Sequence, residues 1–275
     1  MQEIAILLAT YNGEKYLRQQ LDSLIAQSFS GWKLYIRDDG STDHTVSIIK
    51  EYCNLDQRFF FIEDAQQNKG ARDSFFSLLE SVDSSYYMFC DQDDIWLDTK
   101  VEQCYNEIKK AESLHKDFPV LVATDAKVVD SDLKIINPSF WNYTKVNPER
   151  LIKNCYLQVF NFAPGCTMMF NHSLKKLVKP IPKNILMHDW WLLILAERYG
   201  VIKIINRPLI LYRQHSSNTL GAHQVDENYF LGKLKNLRNV IASQQQHLQF
   251  LKEINGLSKL NYYQIKLFYN LTRLK

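Results

Sequence analysis

Apolar and polar positions follow two different periods along this chain. Ile4 to Ala9 is a continuous apolar run, the pattern of a central strand buried on both faces. Thr10-Tyr11-Asn12-Gly13 ends it, and from Glu14 onward Leu17, Leu21, Leu24 and Ile25 fall at helical spacing. Trp32 to Arg37 predicts a second strand and Asp38 to Asp43 a polar turn. Asp43 is placed to cap a helix over Thr45 to Tyr52. Phe59 to Ile62 reads as a third strand. Asn68-Lys69-Gly70 turns into a helix carrying Phe75, Phe76, Leu78 and Leu79, and Tyr86 to Cys90 is a fourth, buried strand. This alternation predicts a mostly parallel α/β sheet covered by helices on both faces.

The pattern then loosens. A helix is expected from Asp98 to about Lys116, a strand over Val120 to Ala126, and a hairpin over Lys127 to Ile136 around Asp130-Ser131-Asp132. Residues 137–160 mix prolines and aromatics around a short helix, Pro148 to Lys153, as long functional loops do. Cys166 to Phe170 is a strand candidate after Pro164-Gly165. His188-Asp189-Trp190-Trp191 opens an apolar helix to Tyr199, and Ile202 to Ile205 and Pro208 to Tyr212 read as two short strands. Beyond Asp226 the tail is expected to be helical, with Leu257, Leu260, Leu267, Leu271 and Leu274 near heptad spacing. The chain divides on this reading into one domain over 1–225 and a helical extension over 226–275.

Composition narrows the class. In 275 residues, 46% hydrophobic and 23% charged content is ordinary for a globular protein with a large core. The net charge of +3 gives no reason to expect a nucleic-acid partner. Its distribution is uneven: Tyr229 to Lys275 holds eight basic residues and one acid, Glu253, which leaves residues 1–228 at −4. Five cysteines form no CxxC pair, as expected of a reduced, cytoplasmic protein. Met1-Gln2-Glu3 runs directly into a strand, so no signal peptide is expected. The apolar run Trp190 to Ala196 is far short of the ~20 residues a membrane-spanning helix needs.

The chemistry gathers at strand ends. In a parallel sheet ligands sit beyond the carboxyl ends of the strands, and there lie Thr10 to Asn12, Asp38 to Asp43, and Asp91-Gln92-Asp93-Asp94. Three carboxylates in four residues require solvation or a positive partner. A strand breaking into a turn can aim Asp91 and Asp93 at one hard cation. No GxGxxG or GxxxxGK[ST] is present, which disfavours a dinucleotide site and a P-loop. A nucleoside diphosphate fits: the cation clamps the phosphates, Tyr11 offers a ring to the base, and Asp39 accepts the N3–H of uracil or thymine. Alone, each of these residues also suits an ordinary turn or cap.

In order along the chain, LLATYNGEKYLRQQLDSLIAQS, RDDGSTDHT, NKG, FCDQDDIW and MHDWW resemble the family 2 glycosyltransferases with the GT-A fold. The resemblance implies a nucleotide-binding part over about 1–126 and an acceptor-binding part over about 127–225. It implies that Thr10, Tyr11, Asn12, Asp39, Gly70, Arg72, Asp91 and Gln92 bind nucleotide, and that Asp91, Asp93 and His215 hold Mg²⁺ or Mn²⁺. Asp94, Trp96, His188, Trp190 and Arg213 would lie near the diphosphate or acceptor, and Asp189 would be the catalytic base. HDWW with YRQHxxNxxG is most similar to the bacterial surface-polysaccharide subgroup, including rhamnosyltransferases. The implied partners are a UDP- or dTDP-sugar and a glycan or lipid-linked glycan acceptor. The basic tail suits either peripheral contact with the inner face of the membrane or a homodimer. A sugar-nucleotide nucleotidyltransferase and a non-catalytic nucleotide-binding protein remain alternatives.

Overall fold

The computed structural model describes residues 3–64, 67–215 and 237–273. The first half alternates β1 (Ile4–Thr10), α1 (Glu14–Ile25), β2 (Trp32–Asp38), α2 (Thr45–Leu55), β3 (Phe59–Phe61), α3 (Ala71–Ser81) and β4 (Tyr86–Cys90). Strands β3-β2-β1-β4 are neighbours in that order and all parallel. Side chains on β1 and β4 divide by parity. Ala5, Leu7, Tyr87 and Phe89 enter one core, and Ile4, Ile6, Leu8, Tyr86, Met88 and Cys90 enter the other. Each Leu, Ile, Phe or Met side chain so buried contributes roughly 1.5–3 kcal/mol, which is why these strands carry no polar face.

The second half continues with β5 (Ile95–Trp96), α4 (Lys100–Leu114), β6 (Val120–Val129), β7 (Ile135–Asn137), α5 (Phe140–Tyr143), α6 (Pro148–Lys153) and a 3-10 turn (Gly165–Thr167). Then come β8 (Met168–Asn171), α7 (His172–Lys175), α8 (His188–Tyr199) and β9 (Val201–Arg213). Beyond β4 the order is β8-β6-β9-β5, with β8 antiparallel to β4 and β6, and β9 parallel to β6. The expected hairpin forms between β6 and β7. The two short strands expected over 202–212 are one strand: its ladder with β6 shifts register between Thr124 and Asp125, so the pairing jumps from Ile205 to Pro208 and the strand continues.

The last helices, α9 (Leu237–Glu253) and α10 (Lys259–Arg273), pack on this chain's own core. Phe250, Leu251, Tyr262 and Tyr269 are buried in the cluster that holds α3 and α8. Of the leucines in the heptad-like pattern, Leu257 packs against this cluster, whereas Leu260, Leu267 and Leu271 are exposed. The expected division at 225/226 falls outside the described residues, as do Asn218, Gly221 and Leu274. No described helix is long and apolar enough to cross a membrane.

Candidate active site

A cavity of about 570 Å³ opens where β1, β2 and β4 end, at a position usual for parallel sheets. The loops after β1 and β2 are laced together. The Asn12 N–H donates to Ser41 Oγ and the Thr42 N–H to Asn12 Oδ1. Asp43 accepts from the N–H of Glu14 at the start of α1 and of Thr45 at the start of α2, while Glu14 accepts from the His44 N–H. Asp43 therefore serves two helices, although His44 occupies the N-cap position expected for it. Thr10 donates its hydroxyl to Asp38 at 2.8 Å. Tyr11 is left half exposed at the cavity wall, its backbone held by the Gln92 amide: Oε1 accepts from Tyr11 N and Nε2 donates to Tyr11 O, both at 2.9 Å. A Cβ on Gly13 would lie 2.2 Å from Gln92 Oε1, so the close pass of that amide requires glycine.

Asp39 is buried at the end of β2 and faces the cavity. Burial raises its pKa, but Arg37 Nη1 at 2.7 Å and the N–H groups of Lys69 and Gly70 overcome this and hold it below the ordinary value. Oδ1 takes two of these donors and Oδ2 one, which leaves an acceptor position on Oδ2. Gly70 adopts φ 78° and ψ 165°, a region essentially confined to glycine. A Cβ there meets nothing within 4 Å, so the backbone alone sets the requirement. Gly70→Ala is expected to destabilise the fold by about 1–3 kcal/mol, read as a lower urea midpoint; an unchanged midpoint would show that the strain is relieved elsewhere.

On the far side, Asp189 stands in the first turn of α8, buried yet lining the cavity. Its Oδ1 accepts from Trp190 N at 2.5 Å and Asn161 Nδ2 at 3.3 Å, and its Oδ2 from Gly165 N at 3.0 Å. Burial pushes its pKa up to about 6, against the lowering effect of those donors. His188 beside it stacks on Phe75 at 4.2 Å and has both ring nitrogens buried; burial pushes it down to about 3, so it is neutral.

Asp91 and Asp93 line the same cavity. Ligand atoms of Asp91, Asp94 and Cys166 lie within 4.8 Å of one another, and Asp93 Oδ2 meets His215 Nε2 at 2.7 Å. Burial, then the charge of Asp93, pushes both Asp91 and Asp94 above the ordinary carboxylate range. Asp94 Oδ2 is buried with no partner. Clustered carboxylates, an orphaned carboxylate oxygen and a neighbouring imidazole form a donor set that fits a divalent cation.

The 3-10 turn connects these two groups. Gly165 N–H holds Asp189, the Cys166 thiol adjoins Asp91 and Asp94, and Cys166 O accepts from Lys100 Nζ at 2.5 Å. Lys100 is fully buried over the Trp96 ring, and burial pushes it down to about 8. Lys100, Arg37, Asn161, Gly165 and Cys166 belong to no functional pattern in the sequence. Their one signal there is Pro164-Gly165, too weak by itself.

Thr10, Tyr11, Asp39, Gly70, Asp91, Gln92, Asp93, His188 and Asp189 thus meet at one cavity. Other expected residues support its walls instead of lining them. Arg213, expected near the diphosphate, is buried and donates to Asp93 O, Ser131 O and Gln19 Oε1. Trp96 is a core residue. Arg72 pairs with Asp73 and donates to Ile185 O, and Trp190 donates its indole N–H to Leu157 O. Asn12 is spent on the loop latch described above, and Asp94 accepts from the Arg213 N–H. For Arg213, Arg72, Trp190 and Asn12 a local partner takes the polar group, whereas Asp94 Oδ2 and the Trp96 indole N–H are buried without one.

The geometry agrees with what comparison with known proteins finds. The chain is 29% identical over 234 residues to the dTDP-rhamnosyl transferase RfbG of Shigella flexneri, covering 78% of this chain and 74% of that protein. Among solved structures, TarS 1–349 of Staphylococcus aureus superposes at TM-score 0.57 with 19% identity, over 77% of this chain and 60% of that one. The same protein in complex with UDP-GlcNAc gives TM-score 0.61 at 17% identity, over 96% and 76%. The mannosyltransferase PcManGT of Pyrobaculum calidifontis, solved with GDP-Man and Mn²⁺, gives 0.52 at 14% identity, over 93% and 65%. These structural likenesses show the GT-A fold. The model of the family "Glycosyl transferase family 2" matches residues 5–178, from β1 through the acidic cluster to α7, and the chain therefore belongs to that family and is a glycosyltransferase.

Proposed function

We propose that this enzyme moves one sugar from a UDP- or dTDP-sugar to a hydroxyl of a glycan or lipid-linked glycan acceptor, with inversion at C1. The observation that carries the reading is the placement of the Asp189 carboxylate in the same cavity as Asp91 and Asp93. In an inverting displacement the acceptor hydroxyl attacks opposite the leaving diphosphate, and a base must take its proton. Asp189, oriented by Asn161 and Gly165 and poised near pH 6, suits that role. Tyr11 stacks on the base and Asp39 Oδ2 accepts its N3–H. Asp91, Asp93 and His215 would hold Mg²⁺ or Mn²⁺, which, when bound, neutralises charge on the departing diphosphate.

The donor sugar is read from the apolar side of the cavity. Phe75, Phe162, Ala163, Pro164 and Met187 line it, and such a surface suits the C6 methyl of a deoxyhexose better than a C6 hydroxyl, which would be buried without a partner. The rhamnosyl transferase relative supports the same choice. The test is a donor screen read by release of nucleoside diphosphate. Turnover of dTDP-rhamnose above dTDP-glucose is expected, and little turnover of ADP- or GDP-sugars. Preference for a C6-hydroxylated donor would remove the deoxyhexose reading. Pyrophosphate release from a sugar phosphate with UTP or dTTP would replace transfer by nucleotidyl chemistry.

A further inference from the structure

We propose that Lys100 is a positioning residue for Asp189, acting through the Gly165–Thr167 turn; the inference rests on the base reading above. Lys100 opens α4, is fully buried and does not line the cavity. It is therefore placed to meet no substrate. Burial opposes its charge, and a methionine would fill much the same space. What a lysine adds here is a donor. Its Nζ reaches Cys166 O at 2.5 Å and lies 3.1 Å from the centre of the Trp96 ring.

The turn needs that donor. In a 3-10 turn each N–H reaches back three residues. The Thr167 N–H takes Pro164 O at 2.9 Å, and the Met168 N–H takes Gly165 O. At Met168 the chain leaves the turn for β8, so the turn itself offers no donor to Cys166 O. A buried carbonyl left without one is costly, and Lys100 supplies it from α4.

The other side of the turn holds the base. The Gly165 N–H donates to Asp189 Oδ2 at 3.0 Å, whereas Asn161 and Trp190 both donate to Oδ1. Among the described residues Gly165 is thus the donor that fixes Oδ2. The contact is close: a Cβ on Gly165 would lie 2.8 Å from His188 Nε2 and 3.5 Å from Asp189 Cβ. Lys100 ties the adjoining peptide from behind. Once that tie is cut the turn can withdraw, Oδ2 is released, and the carboxylate is free to rotate. A reacting group displaced by about 1 Å loses rate steeply.

Lys100→Met and Asp189→Asn are made singly and together in the full chain. The rate is read as release of dTDP from dTDP-rhamnose, or of the nucleoside diphosphate from whichever donor the screen above selects, at saturating donor and Mg²⁺. Lys100→Met should lower kcat about tenfold or more, with dTDP affinity in calorimetry nearly unchanged. In the Asp189→Asn background the same substitution should have little further effect, because a residue acting through the base has nothing left to act on. Where circular dichroism shows that Lys100→Met does not fold, Lys100→Gln takes its place. It keeps a neutral donor one atom short of the lysine nitrogen and should show a smaller loss, equally absent from the Asp189→Asn background. Unchanged kcat, a loss that multiplies with that of Asp189→Asn, or a matching fall in dTDP affinity overturns the inference; the last two assign Lys100 to the acidic cluster. Normal turnover by Asp189→Asn alone would remove the base reading itself, and shows in that single variant.

Discussion

Asp189→Asn is expected to lower sugar transfer by roughly 10² or more, the scale of general-base loss, with donor affinity nearly unchanged. Asp189 and Asp39 share no hydrogen-bond partner, so the substitution leaves the Tyr11 and Asp39 part of the cavity as it is. The variant should melt within a few degrees of the parent. It gives up one acceptor among the three hydrogen bonds at that side chain, but it also removes a carboxylate whose ionisation burial opposes. The pH profile gives an independent reading. Only the ionised carboxylate accepts a proton, so the parent's rate should fall as pH drops through about 6, and the residual activity of the variant should lack that limb. The stability linkage has the opposite sign. A carboxyl raised in the folded state contributes stability below its unfolded value, near 3.9, and loses it as pH rises through about 6. Acid inactivation near pH 6 therefore belongs to the base, and not to unfolding driven by this residue. Normal transfer with a markedly lower melting temperature would make Asp189 a helix cap alone.

Removal of divalent metal is expected to abolish transfer, by roughly 10²–10³, since a cation at the leaving group is worth several kcal/mol. The physical case is the crowding of Asp91, Asp93 and Asp94, where burial and mutual repulsion oppose ionisation and a bound cation would offset both. Among the described residues no Lys or Arg side chain pairs with Asp91 or Asp94, because Lys100 is directed to Cys166 O and the Arg213 guanidinium to Asp93 O, Ser131 O and Gln19. Dialysis against a chelator should remove activity, and Mg²⁺ or Mn²⁺ should restore it. Asp93→Asn should weaken nucleotide binding as well as rate, because a cation held by Asp93 would also offset the charge of the diphosphate. Calorimetry of nucleoside diphosphate with and without Mg²⁺ measures the first effect. Undiminished turnover by exhaustively stripped enzyme would exclude a metal from the reaction.

Much of this protein is written in short-range pattern. Ile4 to Ala9 and Tyr86 to Cys90 could only be central strands, because a run without a polar face must be covered on both sides. Polar clusters at three strand ends then had to share one edge, since parallel strands end together. That logic alone brings Thr10, Tyr11, Asp39, Asp91, Gln92 and Asp93 to one edge, where the structure has its cavity. What the sequence could not decide was which way a polar side chain turns when two environments compete for it. Arg213 and Asp93 are 120 positions apart, as Arg72 and Ile185 are 113, and local pattern carries no information about such pairs. The same holds for Asp189, whose pKa depends on whether burial or its three donors prevail, and for Gly165 and Cys166, which join base to acidic cluster only after β8 has been laid antiparallel to β4. The leucines of α10 show the limit most plainly. Their spacing announced an apolar face, but only the packing of Tyr262 and Tyr269 determined that this face turns outward, because a helix with two apolar sides buries whichever one its neighbours fit.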